Sequence, residues 1–157
     1  MENLDKVIIH AARLGEIRVL HELIAQNANV NATDEKGFTP LIIACYNNQY
    51  DAAVLLLKAN ADINKQDFGG NTALMGVAFK GYADIAELLI KHGADLNKQH
   101  GNGGTALMFA AMFGRNNMVK LLLAHGADKN IVDARGLSVL ELATQQGNQE
   151  AVALLQQ

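Results

Sequence analysis

The chain has no tryptophan, and among its 157 residues there is one cysteine, one proline and one serine. A lone thiol, Cys45, closes no internal disulfide, which points to a reducing compartment, with the cytoplasm as the expected setting. No run of about 18 uncharged apolar residues occurs, so no membrane-spanning helix is expected. The stretch from Met1 to Lys6 lacks the basic-then-apolar order of a secretion signal. Neither sign of charge is in surplus: 13 Lys and Arg stand against 16 Asp and Glu, a net charge of -3 without a long run of one sign. That balance gives no pull towards phosphate or anionic lipid, so the expected partner is a protein, with no nucleic acid and no membrane.

Half of the residues, 50%, are apolar, enough for a continuous core, and their order repeats. Gly37-Phe-Thr39 returns as Gly70-Asn-Thr72, Gly103-Gly-Thr105 and Gly136-Leu-Ser138, each 33 residues after the last. Ala61-Asp62-Ile-Asn64 returns as Ala94-Asp95-Leu-Asn97 and Ala127-Asp128-Lys-Asn130 at the same step. Repeats at 34–66, 67–99, 100–132 and 133–157 follow, and residues 1–33 fit the frame through Ala28-Asn29-Val-Asn31. Two slots per repeat favour a left-handed helix terminus. One holds Gly15, Asn48, Gly81, Gly114 and Gly147; the other holds Asn27, Asn60, Gly93 and Gly126. Between them apolar residues recur at helical spacing, as in Ile85, Leu88 and Leu89, with Thr39, Thr72, Thr105 or Ser138 as caps and Pro40 at a first helical position.

Gly37-Phe-Thr-Pro-Leu41, Leu88-Leu-Ile-Lys-His-Gly-Ala-Asp-Leu-Asn97 and Leu121-Leu-Leu-Ala-His-Gly-Ala-Asp128 resemble the ankyrin repeat, in register over essentially the whole chain. The resemblance implies an all-α solenoid of stacked helix-turn-helix units with projecting β-hairpin loops and a concave face. On that frame residues 1–157 are expected to form a single domain of five repeats. The family usually places a histidine after Thr-Pro-Leu, where this chain has Ile42, Met75 and Met108, so packing is expected to replace a polar tether. Gly76 shares a column with Phe109, which suggests a small-for-large exchange between adjacent repeats. The Asn31, Asn64, Asn97 and Asn130 column resembles the asparagine that hydroxylases modify in animal ankyrin repeats, although turn chemistry alone accounts for it.

A solenoid closes its core with polar end repeats. Glu22 stands in a column of Leu55, Leu88, Leu121 and Leu154, and His10 in one of Ile43, Gly76, Phe109 and Leu142. Glu141, Thr144 and Gln149 break the apolar pattern at the other end. Two finished ends are expected, and hence a complete five-repeat array that is a monomer when unbound.

Nothing in the chain assembles into a catalytic set, and no catalytic, cofactor or metal residues are expected. Ser138 occupies a capping column and Cys45 a column of small core residues, Ala12, Ala78 and Ala111. His92 and His125 lie one repeat apart in equivalent last-turn slots, where an imidazole suits the helix dipole and a metal would find no partners. Asp62, Asp95 and Asp128 are one structural column. Gly101, Gly103 and Gly104 lack the Lys-Ser/Thr of a phosphate loop.

The resemblance places partners at the hairpin tips and on the exposed face of the first helix of each repeat. Those columns hold Phe38, Tyr46, Phe68, Phe79, Lys80, Met112, Phe113, Arg135 and Leu137, and also Leu14, Gln66, Gln99 and Val132. They take five of the eight Phe and Tyr residues, which solubility alone would not arrange. An adaptor or scaffold binding one protein is the leading reading, an inhibitor or antitoxin-like subunit the alternative, and an enzyme with an unrecognised site a third. A chain ending at Val132 is expected to lose stability or self-associate, as thermal melting and sedimentation would show; a stable monomer would contradict the capping of the last repeat.

Overall fold

The computed structural model describes residues 3–157, and among them ten helices come in five pairs. They are α1 Leu4–Leu14, α2 Ile17–Ala25, α3 Pro40–Tyr46, α4 Tyr50–Lys58, α5 Ala73–Lys80, α6 Ala83–Lys91, α7 Ala106–Met112, α8 Asn116–Ala124, α9 Val139–Gln145 and α10 Gln149–Leu155. The chain divides into two compact units, Met1–Ala73 and Leu74–Gln157. In the first, α1 packs on α3 and α2 on α4, like helix on like helix; in the second, α7 packs on α9 and α6, α8 and α10 follow one another.

Every helix pair is cut from its surroundings by the same two devices. At each of the nine left-handed slots foreseen above, φ lies between 59° and 89°. Beyond it the next amide reaches back across the terminus, as Arg115 N–H does to the Ala110 carbonyl at 2.8 Å and Ala127 N–H to that of Leu122 at 3.0 Å. Such a bond satisfies a carbonyl that the helix itself leaves orphaned. At the other end Thr39 Oγ1 accepts the Ile42 N–H at 3.1 Å and Thr105 Oγ1 the Met108 N–H at 3.3 Å. Ser138 and Glu141 form a reciprocal capping box, so Glu141, read from the sequence only as a polar end residue, has a defined partner.

The cores are aliphatic. Ile8, Leu20, Leu41 and Leu56 fill the first unit and Ile85, Leu89, Leu107, Met118 and Leu122 the second, all essentially without solvent contact. Ile42, Met75 and Met108 are buried, so the column where the family usually has histidine is spent on packing here. His10 and Glu22 are exposed where their column mates Ile43 and Leu88 are buried. Cys45 is fully buried, and desolvation pushes its thiol up to about 12. That makes it a small core residue and not a nucleophile.

Truncating Leu122 to Ala is expected to cost about 2–5 kcal/mol, because a close-packed core cannot refill the void. Thr105→Ala should cost about 1 kcal/mol through its lost cap. Urea denaturation followed by circular dichroism would rank the two, and equal losses would contradict this division of labour.

Candidate functional site

Between one helix pair and the next the chain turns back at a three-residue loop. Asp67 N–H donates to the Asn71 carbonyl and Gly70 N–H to the Asp67 carbonyl, both at 2.9 Å, and Asp133, Gly136 and Leu137 repeat the arrangement. This is a tight hairpin whose glycine sits at positive φ, 87° at Gly70 and 80° at Gly136. The resemblance implied β-hairpins; the tips have that hydrogen bonding, with a single isolated bridge, Val132 to Ser138, among the described residues.

A carboxylate organises three of the tips from inside. Asp34 Oδ1 accepts the N–H groups of Lys36 and Phe38, Asp67 Oδ1 those of Gly69 and Asn71, and Asp133 Oδ1 those of Arg135 and Leu137, at 2.8 to 3.0 Å. At the remaining tip His100 takes the aspartate's place, and its Nδ1 accepts the Asn102 N–H at 3.2 Å. The His100 ring lies against Phe109, centroids 5.0 Å apart at 34°, so the large member of the Gly76 and Phe109 column is engaged by the tip of its own repeat.

Within each unit neighbouring repeats are stitched by backbone. Phe68 N–H donates to the Lys36 carbonyl at 3.0 Å, and Ala134 N–H to that of Asn102 at 2.9 Å. Asn31 Oδ1 accepts the Asp62 N–H at 2.8 Å and Asn97 Oδ1 the Asp128 N–H at 2.9 Å, which gives that asparagine column its structural use. Asp62, Asp95 and Asp128 each accept the amide two residues on, an Asx turn. His92 Nδ1 sits 2.9 Å from the Leu88 carbonyl at its helix end.

These ties leave a defined set of side chains outside. Seven large apolar residues stay exposed among the described residues: Leu4, Leu14, Tyr46, Tyr50, Phe68, Phe113 and Val132. All but Leu4 and Tyr50 lie in the columns that the resemblance assigns to a partner. In the first unit Tyr46 is 42% exposed at the end of α3, Phe38 is half-buried, and Phe68 is 77% exposed at its tip. Gly37 makes room for Phe68, since a Cβ there would come within 2.7 Å of the Phe68 ring and 2.8 Å of its amide nitrogen.

In the second unit Phe79 and Phe113 meet edge to face, ring centroids 4.7 Å apart. Phe113 is 47% exposed and Phe79 half-buried beneath it, so the two are one aromatic unit and not two independent anchors. Arg115 Nε holds the Phe79 carbonyl at 2.9 Å. Beside this pair lies a groove of about 500 Å³ with a floor of Met108, Phe109, Met112 and Leu142 and a rim that includes Asn102 and Arg135. Lys80 Nζ is 6.0 Å from the Tyr82 ring centroid, and Leu137 is half-buried.

Two glutamines among the assigned columns are structural instead. Gln66 Nε2 donates to the Gly70 carbonyl at 2.8 Å, and Gln99 Nε2 to those of Gly103 at 2.8 Å and Val132 at 3.1 Å. Arg135 is 64% exposed yet paired with Asp133 at 3.0 Å, so a partner's carboxylate would have to compete with that pair.

The Leu137 N–H holds the Asp133 carboxyl below the usual carboxylate range; desolvation opposes this and Arg135 reinforces it. A carboxyl so depressed stabilises the fold above its unfolded value of about 3.9, and the contribution is lost as pH falls through the lower folded value. The Arg135 and Leu137 amide resonances should therefore hold their positions from neutrality to about pH 4 and move only below it. Movement at pH 5 would contradict the turn geometry.

A family model described as ankyrin repeats, three copies, matches residues 74–157, and a second, ankyrin repeats in many copies, matches residues 23–75. No curated protein matches the chain. Ankyrin repeats are generally protein–protein interaction modules, and proteins built from them are typically non-catalytic. Together with the paired helices, the left-handed termini and the carboxylate-closed tips, these matches place the chain in the ankyrin repeat family.

Proposed function

We propose that this chain is a non-catalytic adaptor that holds one protein partner on its first helices and turn tips. The observation that carries the reading is the Phe79–Phe113 pair: a ring 47% exposed, braced edge-on by a second ring, in columns the framework leaves free. A braced aromatic loses little rotamer freedom on binding, which is what an interface anchor needs. Met112, Phe113 and Arg135 share the adjoining groove, while Lys80 and Leu137 flank the same turns and helices of the second unit. Phe38, Tyr46 and Phe68 form the first unit's own contribution. An apolar centre with scattered, nearly balanced charge suits a protein interface and gives nucleic acid or a lipid surface little to hold.

The unbroken 33-residue period across Ala73 and Leu74 supports residues 1–157 acting as one domain of five repeats, 1–33, 34–66, 67–99, 100–132 and 133–157. A buried, unreactive Cys45 and no helix among the described residues long and apolar enough to cross a membrane fit a monomer working in the cytoplasm.

Affinity capture followed by mass spectrometry, run with the native chain, Phe113→Glu and the control Tyr50→Glu, tests the face. Phe113→Glu should lose the partner and Tyr50→Glu should keep it. Tyr50→Glu should leave stability within about 0.5 kcal/mol of the native chain, and Phe113→Glu should cost about 0.5–1.5 kcal/mol through its lost contact with Phe79 while the chain stays folded by circular dichroism. Retention by Phe113→Glu, or equal loss by both variants, would refute this face.

A further inference from the structure

At the tips built on Asp34, Asp67 and Asp133, the closing acceptor is a carboxylate, which keeps its lone pairs at any pH above the carboxylate range. At the tip of residues 100–104 the acceptor is an imidazole nitrogen, His100 Nδ1, taking the Asn102 N–H at 3.2 Å. Only a neutral histidine has such a lone pair; the protonated ring carries N–H on both nitrogens. Where each aspartate gathers two backbone amides, His100 gathers one.

The surroundings are shaped to the imidazole. A Cβ on Gly104 would fall 2.7 Å from His100 Nε2, whereas the other tips carry Phe38, Asn71 and Leu137 at this position. Phe109 of α7 supports the ring from the other side at 5.0 Å. The groove walls supplied by α7 and α9 carry no charged side chain; the charged groups that share the groove with His100 are Asp133 and Arg135 of the next tip, already paired at 3.0 Å. That pair carries no net charge, and the Asn102 tip is tied to that next tip through the Asn102 carbonyl and the Ala134 N–H at 2.9 Å.

We propose that His100 makes the 100–104 tip an acid-sensitive element in a set of otherwise acid-resistant turns. The neutral ring closes the tip; protonation sets two N–H groups against each other and opens it, while the helix pairs behind it stay folded. Histidine as a side-chain type changes charge between about pH 5 and 8, above the range in which carboxylates do. On the reading that the tips help hold a partner, which this inference extends, acidification would weaken the grip by disordering Asn102 and adding positive charge beside Arg135.

The test uses the uniformly ¹⁵N-labelled full chain alone, so its failure leaves the partner face untouched. Amide spectra and hydrogen-exchange protection are followed from pH 8 to pH 5, alongside the His100 ring resonances. The Asn102 amide should shift with the same midpoint as the ring, and its protection should fall by up to about tenfold, the equilibrium factor for one neutral hydrogen bond. Gly69 and Asn71, at a carboxylate-closed tip, should stay still over that range. His100→Asp and His100→Asn should each abolish the Asn102 response. An Asn102 amide that keeps its protection while the ring titrates, or a response that survives in either variant, overturns the proposal.

Discussion

Helices this short cannot keep their shape in water unless another helix covers their apolar side. Below about 12–15 residues an isolated helix is marginal even for favourable sequences, and the longest here has 11 residues. Stability therefore has to come from stacking α1 on α3, α2 on α4 and α7 on α9, with aliphatic side chains filling the space between. Stacking of like on like works only if every repeat ends its helices at the same place. The left-handed termini and their reach-back hydrogen bonds enforce that, and this is why the period is strict where the side chains vary.

The loops answer a second demand of the same geometry. Each turn leaves backbone amides that no helix can satisfy, and the chain uses a carboxylate or an imidazole from inside the turn to take them. The outer side chains, such as that of Phe68 at 77% exposed, are not what closes the turn, because its amides are taken from inside. A surface on which the backbone is self-sufficient can change its side chains without changing its fold, and a platform for recognising partners needs that property.

The sequence made the framework readable because its constraints are local and recur. Glycine or asparagine at the termini, Thr or Ser before the first helix of repeats two to five and apolar residues at helical spacing are dictated by backbone conformation, so a column of four or five residues shows them. Relations that depend on where a flexible side chain turns were not readable. Asp34 and Asp67 pass for solvated loop residues until their oxygens are seen on their own turn's amides. Gln66 and Gln99 fell among partner columns because nothing in a string of letters distinguishes an outward amide from one folded onto a neighbouring carbonyl. Glu141, read as a bare polar end, lies three residues after Ser138, and that spacing was the available signal for the capping box.

The aromatic residues show where these two kinds of legibility meet. Their columns put Phe79 and Phe113 among the expected contact residues; Phe113 is 47% exposed and Phe79 half-buried. Their contact at 4.7 Å was hidden, because the two lie in adjoining columns of successive repeats, Phe79 being equivalent to Met112 and Phe113 to Lys80, and only the stacking brings the rings together. The pairing changes the physical meaning of the site. A lone exposed phenylalanine samples several rotamers and loses that freedom when a partner arrives, whereas a ring held edge-on by its neighbour has lost part of it in folding. The stacking that stabilises the helices thus also stiffens the surface that the helices present, so the rigidity an interface needs follows from the repeat itself.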